Sequence, residues 1–107
     1  RYLDVLQRLA DLEMETRQYD AAARSYYRIL EIEPFREAAH RGLMRYFAMR
    51  GEYARAIAQF QTCVREIGGA PAPQTATLHQ TIVARSRANT SARSMPRALA
   101  TSRASAS

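Results

Sequence analysis

The sequence predicts an all-α fold, a stack of two helical hairpins closed by a fifth helix. Apolar residues recur at spacings of three and four over most of residues 1–84, which is the period of an amphipathic helix. The chain also aligns on itself when each position i is placed on position i+34. No segment alternates apolar and polar side chains for long enough to form a strand.

The i+34 alignment superimposes one hairpin on the next. Six positions match: Leu9 with Leu43, Leu12 with Tyr46, Tyr19 with Tyr53, Ala22 with Ala56, Tyr26 with Phe60, and Leu30 with Val64. A fixed period of about 20 to 50 residues is typical of repeat proteins, in which each unit is one supersecondary element. The sequence therefore contains two copies of a helix-turn-helix unit.

The first unit begins with a helix over residues 2–15. Its apolar positions are Val5, Leu6, Leu9 and Leu12. A turn at residues 17–19 leads to Asp20, which we expect to be the N-cap of the second helix because its carboxylate accepts hydrogen bonds from free backbone amides. Pro34 ends this helix, since proline has no amide hydrogen to donate. The inward face of the second helix consists of Ala22, Tyr26, Ile29 and Leu30.

The second unit repeats this order. Its first helix spans residues 37–50 and ends at Gly51, because glycine adopts the left-handed conformation that commonly closes a helix. Its inward residues are Ala39, Leu43, Met44 and Phe47. The next helix ends at Gly68 and Gly69 and has the clearest apolar stripe in the chain. This stripe consists of Tyr53, Ala56, Ile57, Phe60, Cys63, Val64 and Ile67.

A rigid connector between Pro71 and Pro73 leads to a short fifth helix at residues 74–84. We expect this helix to cover the last open face of the stack with Leu78, Ile82 and Val83. Residues 85–107 contain six serines, six alanines and five arginines but no aromatic residue. Such a segment buries too little apolar surface to offset the conformational entropy that it would lose on folding. The sequence thus predicts a folded domain over residues 1–84 and a disordered tail over residues 85–107.

The net charge of +6 belongs mainly to the end of the chain. Residues 1–67 hold eleven arginines against ten acidic residues, whereas residues 68–107 hold five arginines and no acid. A DNA-binding surface needs an excess of basic residues on the folded domain. The folded part of this chain is nearly neutral, so its charge does not indicate a DNA-binding surface. A flexible basic tail that attracts phosphates is the third-ranked hypothesis. It predicts nucleic-acid binding that disappears when residues 85–107 are deleted.

Residues that perform catalysis or bind metals are few and scattered. His40 and His79 are far apart in the sequence, and we expect both to be packing or surface histidines. Cys63 lies on an apolar stripe, which favours a buried thiol over a reactive one. A single cysteine also favours a reducing cytoplasm. We therefore expect no catalytic residue, no metal, no cofactor and no enzyme activity.

The repeat pattern resembles two known families. Ala22 and Ala56, each followed four positions later by an aromatic residue, resemble the tetratricopeptide repeat, a right-handed helical stack in which the small residue lets two helices approach closely. Most of residues 1–84 is similar to the bacterial transcriptional activator domain of SARP-type and related regulators. The segments that carry this similarity are EPFREAAHRGLMR at 33–45, Gly51, Ala56, Phe60, Ile67-Gly68, and PAPQT at 71–75.

The resemblance implies a tetratricopeptide-like module that follows a winged-helix DNA-binding domain and acts through protein contacts. Its partners would be its own DNA-binding domain, a second protomer or the transcription machinery, with DNA contacted only indirectly and no membrane involved. Because residue 1 is Arg1 and two repeats are fewer than the three or so that a stable stack needs, we expect a fragment of a longer protein. The alternative is a free-standing tetratricopeptide adaptor, unconnected to transcription. What precedes Arg1 distinguishes the two hypotheses.

The predicted binding surface is the concave side of the stack, which is lined by the first helix of each hairpin. By helical phase, its residues are Gln7, Asp11, Met14, Arg41, Arg45 and Met49. Two unpaired arginines beside two flexible methionines would suit an acidic, partly apolar peptide or helix. The alternative is that these residues form ordinary solvated surface.

Overall fold

The computed structural model describes residues 1–93 as five α-helices. They are α1 (Tyr2–Glu15), α2 (Tyr19–Ile32), α3 (Glu37–Met49), α4 (Tyr53–Ile67) and α5 (Pro73–Arg93). The helices α1 and α2 form one hairpin and α3 and α4 the other, and the hairpins meet mainly where α3 packs on α2. The helix α5 lies against α4 and α3. No strand occurs in residues 1–93, which confirms the predicted all-α, tetratricopeptide-like stack.

The sequence repeat is reproduced in the helix boundaries. Tyr19 begins α2 and its equivalent, Tyr53, begins α4. The turns before them contain a second equivalent pair, Arg17 with φ 64° and Gly51 with φ 75°. The left-handed conformation of Gly51 was predicted, whereas that of Arg17 was not, because glycine indicates such a position in a sequence and arginine does not. The hairpin geometry requires this backbone conformation in both units.

The core is built from the inward faces predicted for α2 and α3, which are confirmed. Ala22 and Ala56 are fully buried, so each small residue does permit a close helix contact. The largest buried apolar side chains of these helices are Tyr26, Ile29, Leu43, Met44 and Phe47. Each contributes about 1.5 to 3 kcal/mol relative to an exposed side chain. Ile82 of α5 is also buried, as the predicted covering role requires.

The apolar stripe of α1 does not lie in this core. Val5, Leu9 and Leu12 are 67%, 46% and 55% exposed, whereas Ala10 is fully buried and Leu6 is partly buried. The apolar arc of α1 is wider than the surface that α2 and α3 cover, and sequence spacing does not distinguish its two sides. The residues that indicated the helix are therefore mostly those that it exposes.

The predicted N-cap at Asp20 is wrong. The N-cap of α2 is Gln18, two residues earlier than predicted, and no side chain forms a capping hydrogen bond there. Asp20 lies in the first turn, where its charge still favours the positive end of the helix dipole. Its carboxylate accepts a hydrogen bond from the Tyr46 hydroxyl at 2.9 Å and lies 3.8 Å from the Arg50 guanidinium. Asp20 thus joins α2 to α3 instead of capping α2.

The fifth helix is longer than predicted. It begins at Pro73 and continues to Arg93, so residues 85–93, which the sequence analysis assigned to the tail, belong to the helix. Neither glycine nor proline interrupts this segment, and five of its nine residues are alanine or arginine, so a helix that is already formed by packing extends through it at modest cost. The rest of the predicted tail, residues 94–107, lies outside the described residues.

Candidate functional site

Two neighbouring depressions lie on the concave side of the stack and share Arg45 as a common wall. The first has a volume of about 330 Å³ and is lined by Asp11, Met14, Glu15, Tyr26 and Arg45. The second has a volume of about 250 Å³ and is lined by Arg45, Ala48, Met49, Leu78, Thr81, Ile82 and Arg85. The two depressions adjoin at Arg45 and are hereafter called the concave groove; apart from Tyr26 of α2, their lining residues belong to α1, α3 and α5.

The second depression combines an apolar floor with two arginine side chains. Leu78 and Ile82 are four positions apart on α5 and therefore lie on the same side of the helix, facing Met49 of α3. Arg45 and Arg85 are both exposed at its rim. Neither guanidinium forms an ion pair with any other residue of the described segment 1–93. This part of the groove is thus apolar at its base and positively charged at its edge.

The wall of the first depression is fixed by a hydrogen-bond network. The Tyr26 hydroxyl donates to Asp11 Oδ1 at 2.6 Å, and Gln7 Nε2 donates to the same oxygen at 3.2 Å. Burial raises the pKa of Tyr26, and the hydrogen bond and negative charge of Asp11 raise it further. The phenol therefore stays neutral and remains a donor. Gln7 Oε1 is buried and has no hydrogen-bond partner within residues 1–93.

Arg41 occupies a different place from the one predicted. Its guanidinium donates to Thr75 Oγ1 at 3.0 Å, and Thr75 in turn donates to Glu37 Oε2 at 2.6 Å. The same oxygen of Glu37 accepts the Ala72 amide at 2.8 Å. Burial by itself would raise the pKa of Glu37, but the hydrogen bonds from Thr75 and Ala72 outweigh it and lower this pKa. Arg41 is therefore not unpaired, and it helps to hold the start of α5 on α3.

The structure brings four of the six predicted groove residues together. Asp11, Met14, Arg45 and Met49 line the depressions. Gln7 supports Asp11, and Arg41 belongs to the attachment of α5. The residues that sequence reasoning missed are Glu15, Tyr26, Ala48, Leu78, Thr81, Ile82 and Arg85. The spacing of Leu78 and Ile82 indicated an apolar helix face, but that face was assigned only to covering the stack, and residue 85 was assigned to the tail.

The histidines and the cysteine have structural surroundings. His40 is buried, with Nε2 2.7 Å from the Pro34 carbonyl oxygen and Nδ1 2.7 Å from Gln59 Nε2. The His79 ring stacks on Phe60 with centroids 3.8 Å apart. Burial raises the pKa of the Cys63 thiol to about 11, so the thiol is protonated near neutral pH. These environments confirm the packing roles expected for His40 and Cys63.

Neither a metal-ligand cluster nor a membrane-spanning helix occurs in the described part of the chain. Within residues 1–93, no three histidine, cysteine, aspartate or glutamate side chains form a group suited to a metal ion. None of the helices over the same segment is both long enough and apolar enough to cross a bilayer.

Comparison with known proteins identifies a family. Residues 1–83 match the bacterial transcriptional activator domain, which is a family of regulator domains. No curated protein and no solved structure is significantly similar to the chain. The matched segment includes both hairpins and the first half of α5, and it covers most of the 107 residues. The chain therefore belongs to the bacterial transcriptional activator domain family.

Proposed function

We propose that this domain is a protein-interaction module of a cytoplasmic bacterial transcriptional regulator, that it has no enzyme activity, and that the concave groove is its binding surface. In this proposal residues 1–84 contain the module, and α5 extends one wall of the groove beyond it. A separate DNA-binding part of the regulator would contact the promoter. Membership of the activator-domain family supports the regulatory role, and the shape and charge of the groove support the binding role.

The ligand of the groove would be an acidic, amphipathic helix or peptide. Its apolar side chains would pack on Leu78, Ile82 and Met49, and methionine adapts easily to different apolar shapes. Its carboxylates would pair with the guanidinium groups of Arg45 and Arg85, for which bidentate hydrogen bonds are favourable. The single observation that carries this proposal is the absence of an ion pair at Arg45 and Arg85 within the described segment, on either side of an apolar floor.

A binding experiment tests the groove directly. The probe is a labelled helical peptide with leucines at i and i+4 and glutamates flanking them, and its binding to the full chain is followed by fluorescence anisotropy. We expect the double variant Arg45→Glu/Arg85→Glu to weaken binding by about 100-fold, since charge pairs across an interface become repulsions. The matched control, Arg24→Glu/Arg28→Glu on exposed positions of α2, should leave it unchanged. Equal affinity for the wild type and the groove variant would disprove the binding role.

A reporter experiment tests the link to transcription. The full chain is fused behind an unrelated DNA-binding domain, and expression from a promoter that carries the matching operator is measured in bacteria. We expect activation by the wild-type fusion and expression at the level of the DNA-binding domain alone for the Arg45→Glu/Arg85→Glu fusion. Peptide binding without any reporter activation would instead support the adaptor hypothesis.

A further inference from the structure

The two sides of the concave groove carry opposite charges at equivalent positions of the repeat. Three pairs of residues related by the i+34 alignment line the groove: Asp11 and Arg45, Met14 and Ala48, and Glu15 and Met49. The same three positions of a helix therefore face the groove in both units. The helix α1 contributes two carboxylates there, whereas α3 contributes a guanidinium and a thioether. The groove is thus acidic on the α1 side and basic on the side of α3 and α5.

The two carboxylates of α1 are accessible to a ligand. Asp11 and Glu15 are four positions apart, so they lie on the same side of the helix, and both residues are exposed. Neither carboxylate forms an ion pair with any side chain that the structure describes. Asp11 uses one oxygen, Oδ1, to accept the hydrogen bonds from Tyr26 and Gln7. Its other oxygen faces no donor among the described residues.

Arg45 forms the opposite wall of the first depression. It lines this depression together with Asp11 and Glu15, but its guanidinium does not pair with either carboxylate. Both charges act on the Tyr26 phenol in the same depression: burial and Asp11 raise the pKa of Tyr26, and the positive charge of Arg45 opposes them. An open depression of about 330 Å³ therefore has one negative wall and one positive wall. A ligand that carries both charges is the one that such walls complement.

We propose that the ligand of the concave groove is a bipolar amphipathic helix of a protein partner. A lysine or arginine at one end of it pairs with Asp11 and Glu15, and acidic residues at the other end pair with Arg45 and Arg85. Its apolar side chains lie between the charged ends. This inference rests on the proposed function and adds the order of charges along the ligand. A helix that is acidic throughout would be attracted by the two arginines but repelled at α1.

The packing of the helices sets the length of this ligand. The helix α3 contacts both α1 and α5 and so lies between them. Packed helices are about 8 to 10 Å apart, so α1 and α5 are separated by up to about 20 Å. A helix rises about 1.5 Å per residue, so at most roughly 13 residues of the ligand separate its basic end from its acidic end.

Three labelled peptides test the order of charges. All have the same length and the same leucines at i and i+4, and a hydrocarbon staple keeps them helical because short helices are unstable alone. The first peptide has glutamates at both ends. The second has lysines at its N-terminal end and glutamates at its C-terminal end, and the third has the reverse order. Both bipolar orders are needed because the charges fix where each end lies but not which end is the N-terminus.

Binding of each peptide to the full chain is measured by fluorescence anisotropy. We expect the tighter of the two bipolar peptides to bind about tenfold more tightly than the all-glutamate peptide, because it replaces a repulsion at α1 with an attraction. The net charge of the chain, +6, favours the all-glutamate peptide, so a preference for the bipolar peptide cannot arise from overall attraction. The preference should become much smaller in 1 M salt, which screens exposed charges.

Variants of the chain test where the basic end binds. Glu15→Lys should reverse the preference in favour of the all-glutamate peptide. Glu15 is better suited to this test than Asp11, because Asp11 also holds the Tyr26 hydroxyl. Glu31→Lys makes the same change at an exposed residue of α2 that lies outside the groove, and it should leave the preference unchanged. Circular dichroism checks that both variants remain helical.

Three outcomes would overturn the inference. If the all-glutamate peptide binds as tightly as either bipolar peptide, the groove binds acidic ligands without this order of charges, and the proposed function stands. If Glu31→Lys changes the preference as much as Glu15→Lys does, net charge and not the α1 wall determines it. If none of the three peptides binds, the binding role of the groove is wrong as well.

Discussion

Gly42 of α3 lies directly against the aromatic ring of Tyr26 in α2, and a Cβ at this position would overlap the ring. Tyr26 is almost fully buried and its hydroxyl is held by Asp11 of α1. Tyr26 of α2 therefore contacts both α1 and α3. Its ring can lie this close to α3 only because Gly42 has no side chain. The absence of a side chain at Gly42 thus permits the close contact between the two hairpins at this point.

Replacing Gly42 with alanine is expected to destabilise the domain even though alanine is the better helix former. The added methyl group forces either the Tyr26 ring or α3 to move, and overpacking of this kind costs about 1 to 3 kcal/mol. Urea unfolding followed by circular dichroism measures the change. Gly69→Ala is the control, because no atom lies within 4 Å of a Cβ there. An unchanged midpoint for Gly42→Ala would show that the contact is looser than described.

Arg17→Gly is expected to stabilise the domain by about 1 kcal/mol, because Arg17 has φ 64°, a conformation that is unfavourable for a residue with a Cβ but easily adopted by glycine. Its side chain is exposed and forms no ion pair with the described residues, so little contact energy is lost. The thermal midpoint of the variant should rise, and that of Gly51→Ala, which makes the reverse change at the equivalent turn, should fall. A decrease for Arg17→Gly would contradict this argument.

Thr75→Val is expected to loosen the start of α5. The buried hydroxyl of Thr75 donates to Glu37 and accepts from Arg41, and valine leaves both charged groups without this partner. Loss of a buried hydrogen bond to a charged group costs about 1.5 to 3 kcal/mol. Hydrogen exchange of the α5 amides should become faster, whereas Thr75→Ser, which keeps the hydroxyl, should change it much less. Equal protection in the two variants would mean that packing alone holds α5.

Protonation of His40 is expected to destabilise the fold as the pH falls. Burial lowers the pKa of His40, although the Pro34 carbonyl partly opposes this, so the unfolded chain binds this proton more tightly than the folded chain. By linkage, the contribution of the neutral ring is complete above the unfolded pKa of about 6.5 and decreases as the pH falls below that value. The decrease stops once the pH is below the folded pKa.

The pH dependence is checked by two measurements. An NMR titration should give a pKa for His40 below about 6.5, and the free energy of unfolding should decrease between about pH 7 and pH 5. His40→Gln should reduce this slope, since glutamine does not titrate. A His40 titration midpoint above the ordinary histidine value would require the ring to be stabilised in its charged form, contrary to its burial.

Much of the helical architecture was predictable because its signals are local. The spacing of apolar residues located all five helices, and Pro34, Gly51 and Gly68 marked three of their ends. The end of α5 was missed because residues 85–93 were judged by their small amount of apolar surface. A helix that is already fixed by packing can extend through residues that add no apolar contact, provided that they tolerate the helical conformation. Asp20 was misassigned because its partners, Tyr46 and Arg50, are distant in the sequence, and local spacing does not indicate such contacts.

The residues that line the two depressions were predictable in part. Helical phase placed Asp11, Met14, Arg45 and Met49 on the concave side, because phase is a property of a single helix. It did not show that Arg41 would be engaged by Thr75 or that Arg85 would join the rim, since both depend on where α5 lies.

Local sequence signals were enough to specify the repeat, the helices and most of the residues that fill the core. The spacing of apolar residues reflects the geometry of a single helix, and the repeat period can be read directly from the sequence. Tertiary packing was needed to settle which part of the wide apolar arc of α1 is buried and which arginines remain unpaired. Burial and ion pairing are relations between elements, and no single helix encodes them. Ala10 lies in the core and Leu9 at the surface because α2 and α3 cover one side of α1 and leave the other exposed.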